Sequence, residues 1–331
     1  MSALVALVLA SPEILSLRDK IKAMRTFWNI NRTLSTLSQW EPNCWIQITC
    51  PSETDEKYLL EDLKVPDYFI DDIRDKDERS RYDYDDGWTL IILRIPYVKE
   101  VRSRTPHTTV PLGIVLKGDI CITICNYETN MMIDFVSYQQ KRNIGFTDAV
   151  DLTFRLFLSS AVWYLKRLKQ INTLIEEAKK KLDHKISNDD LIGLLRLQDS
   201  LTYFITSIRG NETLLSKLKF KLPVDELDAD LIEDVTIEMN QARETANIYS
   251  NILDTTMQTY ASVINNNMSA VMRTMTSISI VLMFPTLIAS LFGMNLINGM
   301  EHVWWGFPVA LALSLFVSVA SLYVFRRKSW I

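Results

Sequence analysis

An asparagine near the end of an uncharged segment is the residue best suited to ion chemistry in this sequence. Gly293-Met294-Asn295 lies within residues 274–300, a run that carries no charged side chain. Mg²⁺ gives up its water reluctantly and demands octahedral geometry. A carboxamide oxygen could accept hydrogen bonds from those waters without stripping them. Gly293 would let the backbone turn sharply beside Asn295, although Asn295 could also cap a helix end.

Methionines and small hydroxyl residues recur along the same segment. Successive members are three or four residues apart, so they share one face of a helix: Met272, Met275, Ser279, Met283, Thr286 and Ser290. A face that meets only lipid would more simply be Leu, Ile and Val. A narrow ring of thioethers can dewet and gate a pore. Small and hydroxyl residues also pack membrane helices together, so helix packing is the alternative interpretation.

Two uncharged segments are long enough to hold these residues in a bilayer. Residues 274–300 and 303–325 each exceed the roughly 20 residues that a spanning helix needs. Soluble helices that are apolar on all faces are rare, and two in succession are rarer. We therefore expect two membrane spans, at about 273–293 and 303–325.

The charges at the ends of the spans predict an orientation. Arg326, Arg327 and Lys328 begin a basic tail, residues 326–331, and the positive-inside rule places it in the cytoplasm. Two spans then return the N-terminal part to the same side, and residues 293–302 form an outward loop. Glu301 is the single acid of that loop and could attract cations.

The chain before the spans divides into two regions. Strand patterns at 44–50 and 88–98, a hairpin of 110–116 and 120–125 around Lys117-Gly118-Asp119, and short helices at 57–63 and 67–74 predict an α/β domain over residues 24–147. Helices are expected at 149–182 and 188–218, with a break at Leu222-Pro223. We expect residues 1–23 to be an extension or an expression-derived segment outside the fold, with Met24 as a natural start.

A very long helix should follow that break. Residues 224–284 contain neither Gly nor Pro, which allows about 90 Å of helix at 1.5 Å per residue. Residues 148–271 are therefore predicted to be a helical region whose last helix continues into the membrane region, residues 272–331. The predicted fold class is an α+β membrane protein.

Together these features resemble the CorA family of magnesium transporters, whose signature is Gly-Met-Asn between two C-terminal spans. The resemblance extends to Trp304-Trp305-Gly306-Phe307-Pro308 and, in the α/β domain, to Asp71-Asp72-Ile73, Arg79-Ser80-Arg81-Tyr82-Asp83 and the strand at 89–95. It implies a homopentameric funnel in the lipid bilayer of the cell's inner or plasma membrane. The first span of each subunit would line the pore, with Gly293, Met294 and Asn295 as the selectivity filter.

The resemblance also implies a regulatory metal site. In the family, acidic residues at the cytoplasmic subunit interface bind Mg²⁺ and hold the closed state. The matching positions are Asp72 and Asp234, and a further acid of the family is replaced by Ile237, with Glu238 next to it. An ordinary solvated face is the alternative for these acids. The loop departs from the family's Met-Pro-Glu-Leu, because this chain has Met300-Glu301-His302 there.

The implied function is transport of divalent cations, most directly Mg²⁺ uptake, with Co²⁺, Ni²⁺ or Zn²⁺ as other candidate ions. A divalent ion gains about 4.6 kcal/mol per 100 mV of membrane potential, and no Walker motif suggests ATP as the energy source. One alternative is a Zn²⁺ transporter, proton coupling included, as in the related ZntB branch, which His302 would suit. Another is a membrane-anchored scaffold. An enzyme is disfavoured because no nucleophile–base pair is visible.

Charge and cysteine content narrow the function further. With 36 basic and 40 acidic residues the net charge is -4, which gives no reason to expect nucleic-acid binding. Cys44 and Cys50, and Cys121 and Cys125, are separated by even numbers of residues. Each pair should share one strand face as buried, reduced thiols, which are typical of the cytoplasm.

Overall fold

The computed structural model describes residues 25–30, 33–99, 106–143, 145–184, 188–222, 226–294, 304–328 and 330. Two compact units make up this part of the chain, one ending at Asp254 and the other beginning at Thr255. The predicted segment 1–23 lies outside the described residues.

The first unit is built on a seven-stranded sheet. Its strands are β1 Arg25–Asn29, β2 Ser35–Leu37, β3 Cys44–Thr49, β4 Arg81–Asp85, β5 Trp88–Val98, β6 His107–Lys117 and β7 Ile120–Cys125. Their order in the sheet is β2-β1-β3-β7-β6-β5-β4. Among the described strands, β3 and β7 pair in parallel and the other neighbours are antiparallel. The predicted hairpin is confirmed as β6–β7, with Gly118 at a φ of +53° in its turn.

Short helices cover one face of this sheet. Helix α1, Glu53–Lys57, begins at a capping box on Ser52 and continues as a π-helical turn, Tyr58–Asp62. Helix α2, Asp67–Arg74, buries Phe69, Ile70 and Ile73 against the sheet. A side chain on Gly113 of β6 would overlap that of Ile73, so a glycine is required there for α2 to lie so close to the strand.

Longer helices cover the other face of the sheet. They are α3 Asn130–Arg142, α4 Ala149–His184 and α5 Asn188–Lys221. The prediction of α4 and α5 is confirmed, whereas α3 and the strands β1, β2 and β4 were not predicted. Of the predicted break at Leu222-Pro223, Leu222 follows the end of α5 and Pro223 lies outside the described residues.

A buried asparagine fixes α5 to the sheet. Strand β4 begins at Arg81, opposite Ile92, so Arg94 on β5 lies beyond the part of the strand that β4 pairs with. Asn211 of α5 replaces that missing strand, because its Oδ1 accepts from Arg94 N at 3.0 Å and its Nδ2 donates to Arg94 O at 2.7 Å. Ser80 Oγ also donates to Asn211 Oδ1, at 2.7 Å. The helix is thereby held in one register on the sheet.

The cysteine prediction needs one correction. All four thiols are free, and Cys44, Cys121 and Cys125 are buried, but Cys50 is exposed. Cys50 follows the last residue of β3 and adopts a φ of +49°, which leaves the strand geometry and with it the face that Cys44 occupies. Burial raises the pKa of the Cys44 thiol, as expected for a structural cysteine.

Two apolar helices dominate the second unit. Helix α6 runs without interruption from Glu226 to Phe292, 67 residues that include Pro285, and α7 runs from Gly306 to Arg327. The predicted long helix that continues into the first span is therefore confirmed.

Candidate functional site

Helices α6 and α7 both meet the requirements of a membrane span. The most apolar windows of α6 and α7 have mean hydropathies of 1.9 and 2.1, and only 6% of the residues in each window are buried. Side chains such as Leu282, Leu287 and Phe316 are more than half exposed. Helices of this length and composition need lipid or further protein around them.

The six residues of the predicted stripe lie on an exposed face of α6. Met272, Met275 and Met283 are 58%, 65% and 64% exposed, and Ser279, Thr286 and Ser290 are exposed as well. The Ser279 hydroxyl donates to Met275 O at 2.9 Å, and the Thr286 hydroxyl to Leu282 O at 3.0 Å. Because both protons are used within the helix, the hydroxyl oxygens present their lone pairs outward as acceptors.

The opposite face of α6 packs against α7. Ser277 is fully buried there, and Ser318 of α7 reaches the backbone of α6, with its hydroxyl oxygen 3.4 Å from Val281 O and 2.9 Å from Ser314 O. Pro285 has no N–H, so it leaves the Val281 carbonyl without its helical donor. The Ser318 hydroxyl, whose proton is shared between the two carbonyls, supplies a donor from the second helix.

Gly293 and Met294, the first two residues of the predicted filter, follow the end of α6. Gly293 N donates to Ala289 O at 2.9 Å, and a Cβ on Gly293 would lie 3.2 Å from the same oxygen, which favours glycine as the residue after the helix. Met294 is 48% exposed. Asn295 and Glu301 lie outside the described residues.

The predicted regulatory acids lie on two different helices. Asp72, at the end of α2, forms an ion pair with Arg81. Asp234 is exposed on α6, and Glu238 is partly exposed one turn later, next to Ile237, which is 55% exposed. Among the described residues, no three His, Cys, Asp or Glu side chains are grouped so that they could hold a metal ion. A metal ion bound at Asp72 would compete with Arg81 for that carboxylate.

Sequence reasoning missed the contacts between the two apolar helices. Pro285 within an uncharged helix was a usable signal, since its missing N–H implies an acceptor that needs a donor. Which hydroxyl would supply that donor could not be read from the sequence, because Ser318 lies 37 residues from Val281. The pairing of Asp72 with Arg81 was missed too.

The sequence matches a known protein family and its characterised members. Residues 40–327 match the model of a family described as "CorA-like Mg2+ transporter protein". The chain is 25% identical over 304 residues to the cobalt/magnesium transport protein CorA of Methanocaldococcus jannaschii, covering 86% of this chain and 91% of that protein.

Solved structures share the fold. The complete structure of the CorA magnesium transporter from Methanocaldococcus jannaschii aligns with a TM-score of 0.82 at 22% identity, covering 93% of this chain and 99% of that one. The ZntB cytoplasmic domain from Vibrio parahaemolyticus aligns with a TM-score of 0.58 at 15% identity, covering 74% of this chain and 97% of that one. The predicted fold class is thus confirmed for the single chain, and the pentameric funnel stays a prediction.

Proposed function

The chain belongs to the family of CorA-like Mg²⁺ transporter proteins, and we propose that it forms a homopentameric channel through which divalent cations, chiefly Mg²⁺, enter the cell. Members of the family are transporters, so the chain is a membrane transporter and not an enzyme. The exposed stripe on α6 carries the proposal, because it is the face that α7 leaves uncovered. Five copies of that face around an axis would form a continuous lining.

The lining suits an ion that keeps its water. Ser279 and Thr286 present hydroxyl oxygens that can accept hydrogen bonds from a hydrated cation. Mg²⁺ releases its waters reluctantly, so acceptors that bind the shell cost less than a site that strips it. Asn295 would repeat this chemistry at the outer mouth as a ring of carboxamides, next to Gly293 and Met294. Glu301 would raise the local cation concentration there.

The methionines of the stripe would form the gate. Met272, Met275 and Met283 are apolar and flexible, and rings of them could close the pore by excluding water. Opening then needs only a small widening of the rings. The driving force would be the membrane potential, with both chain ends in the cytoplasm and the basic tail after α7 on that side.

The test is ion flux in proteoliposomes with an imposed potential and a panel of Mg²⁺, Co²⁺, Ni²⁺ and Zn²⁺. Asn295→Ala should lower Mg²⁺ flux more than tenfold, because one substitution removes a contact worth about 1 kcal/mol from every subunit. Asn298→Ala, three residues further along the same loop, is the matched control and should keep nearly full flux.

The outcomes separate the alternatives. Unchanged flux in Asn295→Ala, at equal oligomer mass, eliminates the asparagine ring as the filter. Preferred Zn²⁺ flux that Mg²⁺ does not compete with would favour a zinc transporter, for which His302 in the loop is the supporting residue. No flux of any ion, from a protein that is correctly inserted, would favour a membrane-anchored scaffold.

A further inference from the structure

An apolar groove runs between the two spanning helices. It has a volume of about 320 Å³ and is lined almost entirely by carbon atoms. Its lining includes Ile280 and Phe284 of α6 and Phe316, Ala320, Val324 and Phe325 of α7, with Ser321 as its polar residue. Ala320 provides little side-chain volume between larger neighbours, so the surface is concave at that point.

The length of the groove matches one leaflet. From Phe316 to Phe325 the helix rises about 14 Å at 1.5 Å per residue, close to half of the roughly 30 Å hydrocarbon core. The groove also ends where the apolar part of α7 ends, since Phe325 is followed directly by Arg326, Arg327 and Lys328. An acyl chain that enters from the basic end would therefore fill it.

Three basic side chains continue the lining of the groove at the end where α7 becomes basic. Arg273 is seven residues before Ile280, so it lies on the same face of α6. At about 100° per residue, Arg327 lies within about 20° of Ala320, and Lys328 lies within about 40° of Val324. All three are exposed, and among the described residues no carboxylate pairs with them.

The tail is folded back at the same place. Trp330 stacks on Phe325, with ring centroids 5.7 Å apart and planes at 5°. Its carbonyl oxygen lies 3.3 Å from the Thr274 hydroxyl of α6. These contacts fix the end of α7 against the start of the first span, so the cations are held at the mouth of the groove.

From this arrangement we infer a binding site for a phospholipid with an anionic headgroup. One acyl chain would occupy the groove, and Arg273, Arg327 and Lys328 would bind the headgroup by charge and hydrogen bonds. The occupant is a lipid because the groove is apolar to the depth of one leaflet and cationic only at its mouth. The inference requires that α6 and α7 lie in a membrane, and it is independent of which ion is transported.

Native mass spectrometry of the delipidated full-length protein provides the test. It is titrated with phosphatidylglycerol and with phosphatidylcholine that carry identical acyl chains. Each Lys or Arg near an anionic headgroup contributes about 1 kcal/mol, which is about fivefold in affinity. Phosphatidylglycerol should therefore bind more than tenfold tighter than phosphatidylcholine, and R327Q combined with K328Q should lose about 25-fold for phosphatidylglycerol alone.

Arg326 offers a matched control, because it is turned about 120° from Ala320 and about 160° from Val324. R326Q should change phosphatidylglycerol affinity less than about twofold, since it retains the groove-side cations. An equal loss in R326Q and in R327Q alone would mean diffuse attraction to the membrane and would overturn the site.

Ala320→Phe tests the groove itself and should weaken both lipids by a similar factor. Unchanged affinity for both, in an oligomer of unchanged mass, would show that no acyl chain enters the groove. A change in oligomer mass would show that a second copy of this chain covers the groove, which contradicts the inference as well. Inorganic phosphate alone should not displace phosphatidylglycerol, and displacement would identify a phosphate site without a lipid.

Discussion

The two units of this chain satisfy their polar groups in opposite ways. In the first unit, several buried polar side chains bond across elements, as Asn211 bonds Arg94 and as Trp45 Nε1 donates to Thr123 Oγ1 at 2.8 Å. In the second, most hydroxyls bond the backbone of their own helix, as Ser279 and Thr286 do. The first unit also carries many ion pairs, while among the described residues of the second none is formed.

This difference accompanies another: the first unit buries its apolar core within a single chain, and the second does not. The core of the first unit, including Trp45, Phe69 and Phe204, is fully buried within one chain. The apolar windows of α6 and α7 bury only 6% of their residues. Stability in the first unit should therefore depend on internal contacts, whereas the second must obtain its burial from lipid and from other copies. The residues proposed for transport all lie in the second unit.

The largest expected effect on stability comes from Asn211. Asn211→Ala removes two buried hydrogen bonds and one partly buried one, and it leaves the Arg94 N–H and the Ser80 hydroxyl without their partner, which should cost about 4 kcal/mol. Denaturation of the full chain in detergent, followed by tryptophan fluorescence, measures the loss. Thr213→Ala is the control, because its hydroxyl bonds only Arg209 O of the same helix and is exposed.

Ion selectivity gives the second measurement on the same variant. If the first unit is internally complete and separate from the pore, Asn211→Ala protein that remains folded should keep the wild-type order of cation fluxes. A changed order would mean that the proposed separation of stability and selectivity is wrong.

A buried histidine makes the first unit sensitive to acid. His107 is 6% exposed and lies edge-on to Phe204, and burial, with a smaller effect of Arg167, lowers its pKa to about 4. The unfolded chain binds the proton near pH 6.5, so stability is full above that pH and is lost as the pH falls toward 4. The loss should reach about 3 kcal/mol.

His107→Phe separates this contribution from other acid effects. The substitution keeps an aromatic ring beside Phe204 and removes the titrating group. Unfolding free energies measured between pH 7 and pH 4 should therefore fall less steeply in the variant. Equal slopes in both proteins would show that His107 is protonated in the folded state.

Patterns that repeat within a single element were predictable from the sequence. The hairpin β6–β7 and the helices α4, α5 and α6 follow from local periodicity and turn residues, and the shared face of the methionine stripe follows from helical spacing. Strand β4 could not be predicted in this way. Its sequence Arg-Tyr-Asp-Tyr-Asp is acidic, and it is a strand because it pairs with β5, with Asp83 opposite Leu90.

Contacts between elements that are distant in sequence could not be predicted either, because they also depend on a partner elsewhere in the chain. Asn211 lies 117 residues from Arg94, and nothing near Asn211 in the sequence indicates an unpaired strand backbone. The roles of Asn295, of the stripe and of the regulatory acids stay predictions, since they depend on symmetric copies that one chain does not contain.

A substitution at Asp234 tests whether the first unit also needs another copy of the chain, in this case to complete a metal site. Its carboxylate is exposed on α6, and we expect Mg²⁺ to bind it together with Asp72 of another copy and to stabilise the closed state. A site at 100-fold excess over its Kd contributes about 2.7 kcal/mol, and several equivalent sites would suffice to shift a two-state gate. Asp234→Asn should therefore weaken inhibition of flux by internal Mg²⁺.

Glu233→Gln is the control for that variant, since it removes a neighbouring exposed charge from the same helix. It should leave the inhibition unchanged. If Asp234→Asn is as sensitive to Mg²⁺ as the wild type, the sensor lies elsewhere, with Glu238 as the next candidate. If the wild type itself shows no inhibition at millimolar Mg²⁺, Ile237 has replaced an acid that the feedback requires.

The smallest effects distinguish two serines of the second unit, one partly buried and one fully buried. Ser318 supplies a donor to the Val281 carbonyl that Pro285 leaves open, so Ser318→Ala should lower stability by about 1 kcal/mol. Ser277 is fully buried, but no acceptor lies within reach of its hydroxyl among the described residues. Ser277→Ala should be neutral or slightly stabilising, because it removes a polar group without a partner.

Thermal unfolding of the two variants in the same detergent decides whether the spans are held by a specific polar contact. A lower midpoint for Ser318→Ala and an unchanged or higher midpoint for Ser277→Ala would show that the Val281 carbonyl, which Pro285 leaves without an N–H donor, needs the Ser318 hydroxyl. Equal loss in both variants would mean that another copy or a water bonds Ser277. The second unit would then satisfy its hydroxyls across elements, as the first unit does, and the contrast between the two units would rest on burial alone.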